Sequence, residues 1–484
     1  MPRIDFSPPD ITEDDIAAVV SVLKSHWITT STATKAFEQN LAAWCQTPHV
    51  ACLNSATAAL ECALRVLGIG PGDEVVTSAY TYTASASVIV HVGARPVLVD
   101  VAPGSYHLDP NALMAAVGPR TRAVISVDIA GLMCDYERIF AVLRQSYAAL
   151  QGGAAADGAA ADGAAADGAA AGGSMAERLA RELGRIPVIA DAAHSFGATY
   201  HGQPSGSLAD LSAFSFHAVK NLTTAEGGAL TWRPGFADKI IPLWQEALPQ
   251  LFGGGGSTGG GGGITAAEAQ EGSTPLAEAA DDTLYRLLML FSLHGQSKDA
   301  QSKALTGAWE YDIVAPWYKC NMTDMAAALG DSQLRRYAQT LARRQEISAL
   351  YAQRLLADSE ALGYGLDVLA HRSADGRSLS SGHLLLVRLL GQGDAFRRRL
   401  IAEMWERGVA CNVHYKPLPL LSAYRALGLA ASDYPNALAQ YENEVTLPLH
   451  TLLSDDDVIY VCQCFCESYA VCQQAFGQAA EAEG

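Results

Sequence analysis

Short apolar runs rich in Val and Ile alternate with stretches of helical spacing through the first part of the chain. Residues 74–77, 96–100, 123–128 and 187–190 are runs of strand length, the first entered through the turn Gly68-Ile69-Gly70-Pro71-Gly72-Asp73. Between them, residues 58–67, 83–92, 110–117 and 176–183 place apolar side chains at the three-to-four spacing of a helix face. Such alternation predicts an α/β fold, a mostly parallel sheet covered by helices. Further on the pattern changes. A long helix is predicted over 332–357, a strand within 382–389, a helix over 396–407 and a last helix over 457–475. These read as a smaller α+β domain. The expected division is a large domain over 1–335 and a small one over 336–484.

Two segments break the pattern. Residues 152–173 repeat Ala-Ala-Ala-Asp-Gly, with Asp157, Asp162 and Asp167 five apart, a period that keeps no constant side toward a core. Residues 253–263 are nearly all glycine, the composition of a flexible loop. Both read as surface insertions, over about 150–175 and 252–276.

Composition narrows the class. At 484 residues, with 49% hydrophobic and 17% charged, the chain is globular and long enough for two domains. No apolar run approaches the length that crosses a bilayer. Met1-Pro2-Arg3-Ile4-Asp5 does not open a signal peptide, so a cytoplasmic protein is expected. A net charge of −18 argues against nucleic acid as a partner. The ten cysteines suggest neither a disulfide frame nor a zinc site. Cys462, Cys464, Cys466 and Cys472 lie in helix-like sequence rather than in C-x-x-C pairs.

Three places could carry chemistry. In Ser215-Phe216-His217-Ala218-Val219-Lys220 a strand runs into a single lysine, followed by Glu226-Gly227-Gly228 and another strand. That lysine is either a solvated loop charge or, among apolar neighbours, an amine able to form a Schiff base. In Val188-Ile189-Ala190-Asp191 an acid ends an apolar strand, where a carboxylate is costly without a partner. It could cap the next turn or face a cationic ring nitrogen. Asn54-Ser55-Ala56-Thr57 opens a helix, as a plain N-cap or as a phosphate site.

Together these stretches resemble the DegT/DnrJ family of nucleotide-sugar aminotransferases, enzymes of the fold-type I aspartate aminotransferase architecture that serve polysaccharide biosynthesis. The resemblance covers nearly the whole chain outside the two insertions. It also rests on Trp27-Ile28-Thr29-Thr30, Gly70-Pro71-Gly72-Asp73-Glu74-Val75, Tyr318-Lys319-Cys320-Asn321-Met322-Thr323-Asp324 and Val413-His414-Tyr415-Lys416-Pro417-Leu418. It implies pyridoxal phosphate held by Lys220 as an internal aldimine, with Asp191 on the pyridinium nitrogen and His194 near the phenolic oxygen. Tyr82 would stack on the ring, a place for which Tyr80 competes. Ser55, Ala56, Thr57 and Ser215 would bind the phosphate, and Asn321 would reach it from a second subunit of a homodimer. Thr29, His414 and Tyr415 would meet the sugar. The family has His after Pro-Leu where this chain has Pro419, which bears on the substrate contact rather than the fold.

The implied reaction is transamination of a nucleotide-linked keto sugar, with glutamate or glutamine as amino donor. Lys220 argues against the dehydratase relatives, which have histidine at that position. Racemisation or decarboxylation would use the same lysine, and a catalytically inactive scaffold remains the alternative outside enzymology. No Gly-x-Gly-x-x-Gly leads a strand into a helix, so a dinucleotide oxidoreductase is not indicated.

Overall fold

The computed structural model describes residues 3–156, 173–252, 277–296, 311–373 and 376–483. The start of the Ala-Asp-Gly repeat extends the helix Tyr136–Ala156, while most of that segment and nearly all of the Gly-rich one lie outside the described residues.

The strands of the first part are β1 (Val50–Leu53), β2 (Glu74–Ser78), β3 (Arg95–Val99), β4 (Thr121–Val127) and β5 (Val188–Asp191). A two-residue hairpin follows, β6 (Thr199–Tyr200) with β7 (Gln203–Pro204), and then β8 (Leu211–Ser215) and β9 (Gly228–Trp232). All but the small hairpin join one seven-stranded sheet in the order β1-β9-β8-β5-β4-β2-β3. The sheet is mostly parallel, with β9 running antiparallel to both its neighbours. Helices cover both faces, so successive residues of one strand are all buried but in different cores. Val75, Ala123 and Ile125 join the core under the helices Ala56–Val66 and Ala237–Ala247, while Val76 and Val124 join the core under Thr32–Cys45 and Tyr136–Ala156. Continuous apolar runs are the signature of such doubly covered strands.

The expected strands and helices are present with ends shifted by at most three residues, except that the last helix, expected over 457–475, runs Asp455–Glu483. One expectation is corrected. The helix expected over 332–357 is two helices, Asp324–Arg335 and Tyr337–Leu362, separated at Arg336 (φ −105°, ψ 6°). The Arg336 guanidinium donates to Asp10 O at 2.6 Å and to Asp15 Oδ2 at 3.0 Å. These distant partners hold it outside the helical path, and local periodicity carries no trace of them.

Beyond the break, a second sheet pairs β10 (Leu366–Val368), β11 (Leu385–Leu389) and β12 (Glu444–Leu447) antiparallel. It packs with the helices Asp394–Glu406 and Asp455–Glu483 around a separate core that also holds Ile4. The Ile4 N–H donates to Gly408 O at 2.9 Å and Ala410 N–H to Ile4 O at 3.0 Å. The chain then passes the β8–β9 loop, where Ser7 Oγ donates to Val219 O at 3.4 Å.

The lower ends of β5 and β8 are tied by Asp210. Its buried carboxylate accepts from Arg185 at 2.7 and 2.9 Å, from Val188 N at 2.8 Å and from Arg233 Nε at 2.8 Å. Burial disfavours the charged form, yet the Arg185 pair outweighs it and the Asp210 carboxyl lies below its ordinary value. A depressed carboxylate stabilises the fold above its unfolded pKa of about 3.9, and that contribution is lost as pH falls through the folded value. Asp210→Ala leaves Arg185 buried and uncompensated. It is expected to lower the urea-unfolding free energy at neutral pH by about 3–5 kcal/mol; a midpoint unchanged from the parent protein would refute the role.

Candidate active site

The parallel register brings the carboxyl ends of three strands together, with Val127 opposite Asp191 and Asp191 opposite Ala213. Ligand crevices in open α/β sheets lie at this end. Here a cavity of about 450 Å³ opens, within the range of small-molecule sites. Its walls include Ser55, Ala56, Thr57, Tyr82, Asp191, His194, Ser215, Lys220, His414 and Tyr415.

Asp191 ends β5 with its carboxylate buried. Ser85 Oγ donates to Oδ2 at 2.6 Å and Ala193 N–H to Oδ1 at 3.2 Å. Thr81 Oγ1 lies 2.8 Å from Ser85 Oγ, so the serine is itself held. Burial pushes the Asp191 carboxyl above its ordinary value, and the two hydrogen bonds and the Lys220 charge only partly offset this. A cation in the cavity would restore the balance. Lys220 stands on the turn after β8, its N–H donating to His217 O at 2.9 Å. Burial brings its amine down to about 8, against the pull of Asp191.

One end of the cavity is built from the N-terminus of the helix Ala56–Val66. Ser55 is the N-cap, its Oγ accepting from Ala58 N–H at 3.1 Å, and Ala59 N–H goes to Ser55 O at 3.1 Å. The Ala56 and Thr57 N–H groups remain for an anion at the positive end of the helix dipole. Gly228 allows β9 to come this close, since a Cβ there would lie 2.4 Å from Ala56 N. Ser55 is thus a cap and a cavity residue at once.

His194 and Tyr415 form the opposite wall. Ala130 N–H donates to His194 Nδ1 at 3.2 Å, and His194 Nε2 lies 3.0 Å from Tyr415 Oη. Burial, with Lys220 nearby, holds the imidazole well below its ordinary value, so it is neutral at pH 7. His414 is also neutral, brought down to about 3 by burial; its Nδ1 lies 2.9 Å from Thr446 Oγ1. Of the two competing tyrosines, Tyr82 is 60% exposed and lines the cavity, whereas Tyr80 is 0% exposed and donates to His414 O at 2.7 Å.

Thr29 and Asn321 are not part of this wall. Thr29 is exposed, and Asn321 pairs with Leu53 beyond the end of β1, its amide on Thr30 Oγ1 and its Oδ1 on Lys319 Nζ. Thr29 thus adjoins the residue that Asn321 contacts, and Asn321 lies beside the strand end that leads into Ser55, since Asn54 N–H donates to Cys320 O at 2.7 Å. Pro419 sits in the buried turn Leu418–Leu420.

Sequence reasoning passed over Ser85, Asp128 and His383. Asp128 lines the cavity after β4 and accepts from Cys134 N–H at 2.9 Å, Tyr136 Oη at 3.0 Å and Ser195 Oγ at 2.7 Å. It carries the same signal as Asp191, an acid closing an apolar strand. Ser85 and His383 carry none, since a serine in a helix and a histidine before a strand are ordinary.

The profile of the DegT/DnrJ/EryC1/StrS aminotransferase family matches residues 9–177, 174–246 and 277–466. The chain is 31% identical over 457 residues to the spore coat polysaccharide biosynthesis protein SpsC of Bacillus subtilis, covering 94% of each chain. Among solved structures it is similar to Spr1654 of Streptococcus pneumoniae, described as a sugar aminotransferase. In the PLP form the identity is 41%, the coverage 97% of this chain and 100% of the other, and the TM-score 0.76. The PMP form gives a TM-score of 0.77 at the same identity, with 98% and 100% covered. The aminotransferase TlmJ of Streptoalloteichus hindustanus is 26% identical, with 97% and 100% covered and a TM-score of 0.71.

An amine that loses its proton near pH 8 is a nucleophile at physiological pH. In cofactor-free protein, the rate at which Lys220 takes an amine-directed label is expected to rise with a midpoint near pH 8. Peptide mapping against Lys220→Ala isolates that site, and a midpoint near the free-lysine value of about 10.4 would contradict the environment described.

Proposed function

The chain belongs to the DegT/DnrJ/EryC1/StrS aminotransferase family and is a pyridoxal-phosphate-dependent sugar aminotransferase; from that premise we propose that it moves an amino group from glutamate or glutamine to a nucleotide-linked keto sugar. The observation that carries the residue assignment is the meeting of Lys220, Asp191 and the Ser55-Ala56-Thr57 helix start around one cavity. Their chemistry suits the cofactor: an amine of lowered basicity for its aldehyde, a carboxylate short of a cation for its ring nitrogen, and unpaired helix N–H groups for its phosphate. Pyridoxal phosphate, when bound, supplies a carbonyl that takes up the amino group and a protonated ring that draws electrons from the carbon losing its proton.

The chain's own residues have these proposed tasks. Lys220 Nζ holds the cofactor and, when free, carries the proton between two carbons of the substrate–cofactor pair, a task for which an amine near pH 8 is matched. Asp191, kept in place by Ser85 and Ala193, keeps the ring nitrogen protonated. Ser215 adds to the phosphate end, Tyr82 covers the ring, and His194 stands at the polar wall. His414 and Tyr415 meet the sugar.

We propose a homodimer in which Asn321 and Thr29 serve the partner's cavity; the family resemblance and their absence from the lining of their own chain's cavity support this reading. We propose a larger unit over 1–335 and a smaller one over 336–484; the turn at Arg336 supports that division, although Ile4 packs in the core of the smaller unit. The site of action proposed is the cytoplasm; no helix among the described residues is long and apolar enough to cross a membrane.

A visible absorbance spectrum tests the reaction. Added pyridoxal phosphate is expected to give a yellow band in the wild-type protein that is lost or displaced in Lys220→Ala. Glutamate or glutamine should bleach it and a nucleotide-linked keto sugar should bring it back. Bleaching by neither donor would reject the donor assignment. Recovery with simple keto acids but with no keto sugar would reject the substrate class.

A further inference from the structure

His194 has two ring nitrogens and one proton to share between them, and the fold decides where the proton sits. A backbone N–H can only donate, so Ala130 N–H at 3.2 Å fixes Nδ1 as an acceptor. The neutral ring must then carry its proton on Nε2, which points at Tyr415 Oη at 3.0 Å. The hydroxyl therefore receives a hydrogen bond from the imidazole, and its own proton is directed elsewhere.

The surroundings hold this arrangement. Ala130 has a φ of +57°, a left-handed conformation unusual for alanine, and it is this turn that aims the N–H at the ring. The next residue, Gly131 at φ +87°, could not carry a side chain, because a Cβ would lie 2.1 Å from Ser381 Oγ and 2.9 Å from His194 O. Ser381 Oγ in turn donates to His194 O at 2.5 Å. The His383 ring packs on His194 with centroids 4.3 Å apart, and His383 Nδ1 lies 2.9 Å from Asn221 Oδ1 beside Lys220. Tyr415 reaches the cavity wall next to Tyr82, ring centroids 5.9 Å apart.

We propose that Tyr415, and not His194, is the hydrogen-bond donor that this wall presents to an oxygen of the bound ligand, with His194 as its positioning residue. The inference rests on the reading of this cavity as the site of amino transfer. Accepting from the imidazole polarises the Tyr415 O–H and strengthens its donation, since hydrogen bonds in a chain reinforce one another. Burial keeps the phenol far above its ordinary value, so the proton is present throughout the working pH range. The oxygen it meets is the cofactor's phenolic oxygen or the carbonyl oxygen of the sugar, two sources of one chemistry.

The first measurement needs no activity. In cofactor-free protein labelled with ¹⁵N-histidine, the His194 signals, assigned by their loss in His194→Gln, should show Nδ1 bare and Nε2 protonated. A proton on Nδ1 overturns the inference. The second uses Tyr415→Phe in the holoenzyme, with unfolding midpoints confirming that the variant is folded. A lost donor to a charged or polarised oxygen lowers kcat on the order of 10- to 100-fold. If the oxygen is the cofactor's, the pH midpoint of its visible band shifts. If it is the sugar's, the band and the glutamate half-reaction stay as in wild type and only the sugar half-reaction slows. His194→Gln, which can still donate from its amide, should retain more activity than His194→Phe, and Tyr415→Phe combined with His194→Phe should cost no more than the worse single change. Wild-type kinetics in Tyr415→Phe, or strictly additive losses, overturn the inference. Wild-type protein that takes up no pyridoxal phosphate defeats the broader reading of the site instead.

Discussion

A carboxylate at the end of a buried strand is the constraint around which this molecule is arranged. Asp191 sits where solvent cannot stabilise its charge, and the protein provides only a serine hydroxyl, one backbone N–H and a lysine across the cavity. That shortage makes the position receptive to a ring cation. A fully paired Asp191 would be a structural residue, as Asp210 is at the other end of the same strands with two arginines around it. The two acids differ in what surrounds them, and their roles follow from that difference.

The same low-polarity environment acts on every ionisable group in the cavity. It brings the Lys220 amine down toward neutrality and keeps His194 and His414 uncharged. Neutral imidazoles are fixed by direction rather than charge, so backbone geometry governs them. The glycine that admits β9 to the helix start and the one that admits Ser381 to the His194 carbonyl do comparable work, each allowing an approach that any side chain would block.

Much of the fold was legible because doubly covered parallel strands must be apolar throughout and the helices between them must keep one apolar side. Lys220 and Asp191 stood out for the complementary reason, as ionisable groups beside such strands. Asp128 satisfies that criterion too and was overlooked; its carboxylate turns out to bind the 134–136 turn and Ser195. What could not be read was contact across long separations. Ser85 reaches Asp191 over 106 positions and Tyr415 reaches His194 over 221. The break at Arg336 was hidden for the same reason, since its cause lies at Asp10 and Asp15. Tyr80 and Tyr82 are two positions apart in one short stretch, and only the packing of the second sheet's loop assigns one to the core and the other to the cavity.

The pairing of Ile4 with Gly408 and Ala410 has a temporal side. A ribosome delivers the N-terminal end of a chain first, and domains tend to fold as they emerge. Here the segment holding Ile4 must wait through roughly four hundred further residues before its strand-like partner exists, and the His414–Tyr415 wall arrives just after that partner. Sheet and lysine can thus assemble during synthesis, but the cavity gains its last wall only near the end. The Asp191–Lys220 side of the cavity therefore stands open for much of the chain's birth, until the His414–Tyr415 wall is made.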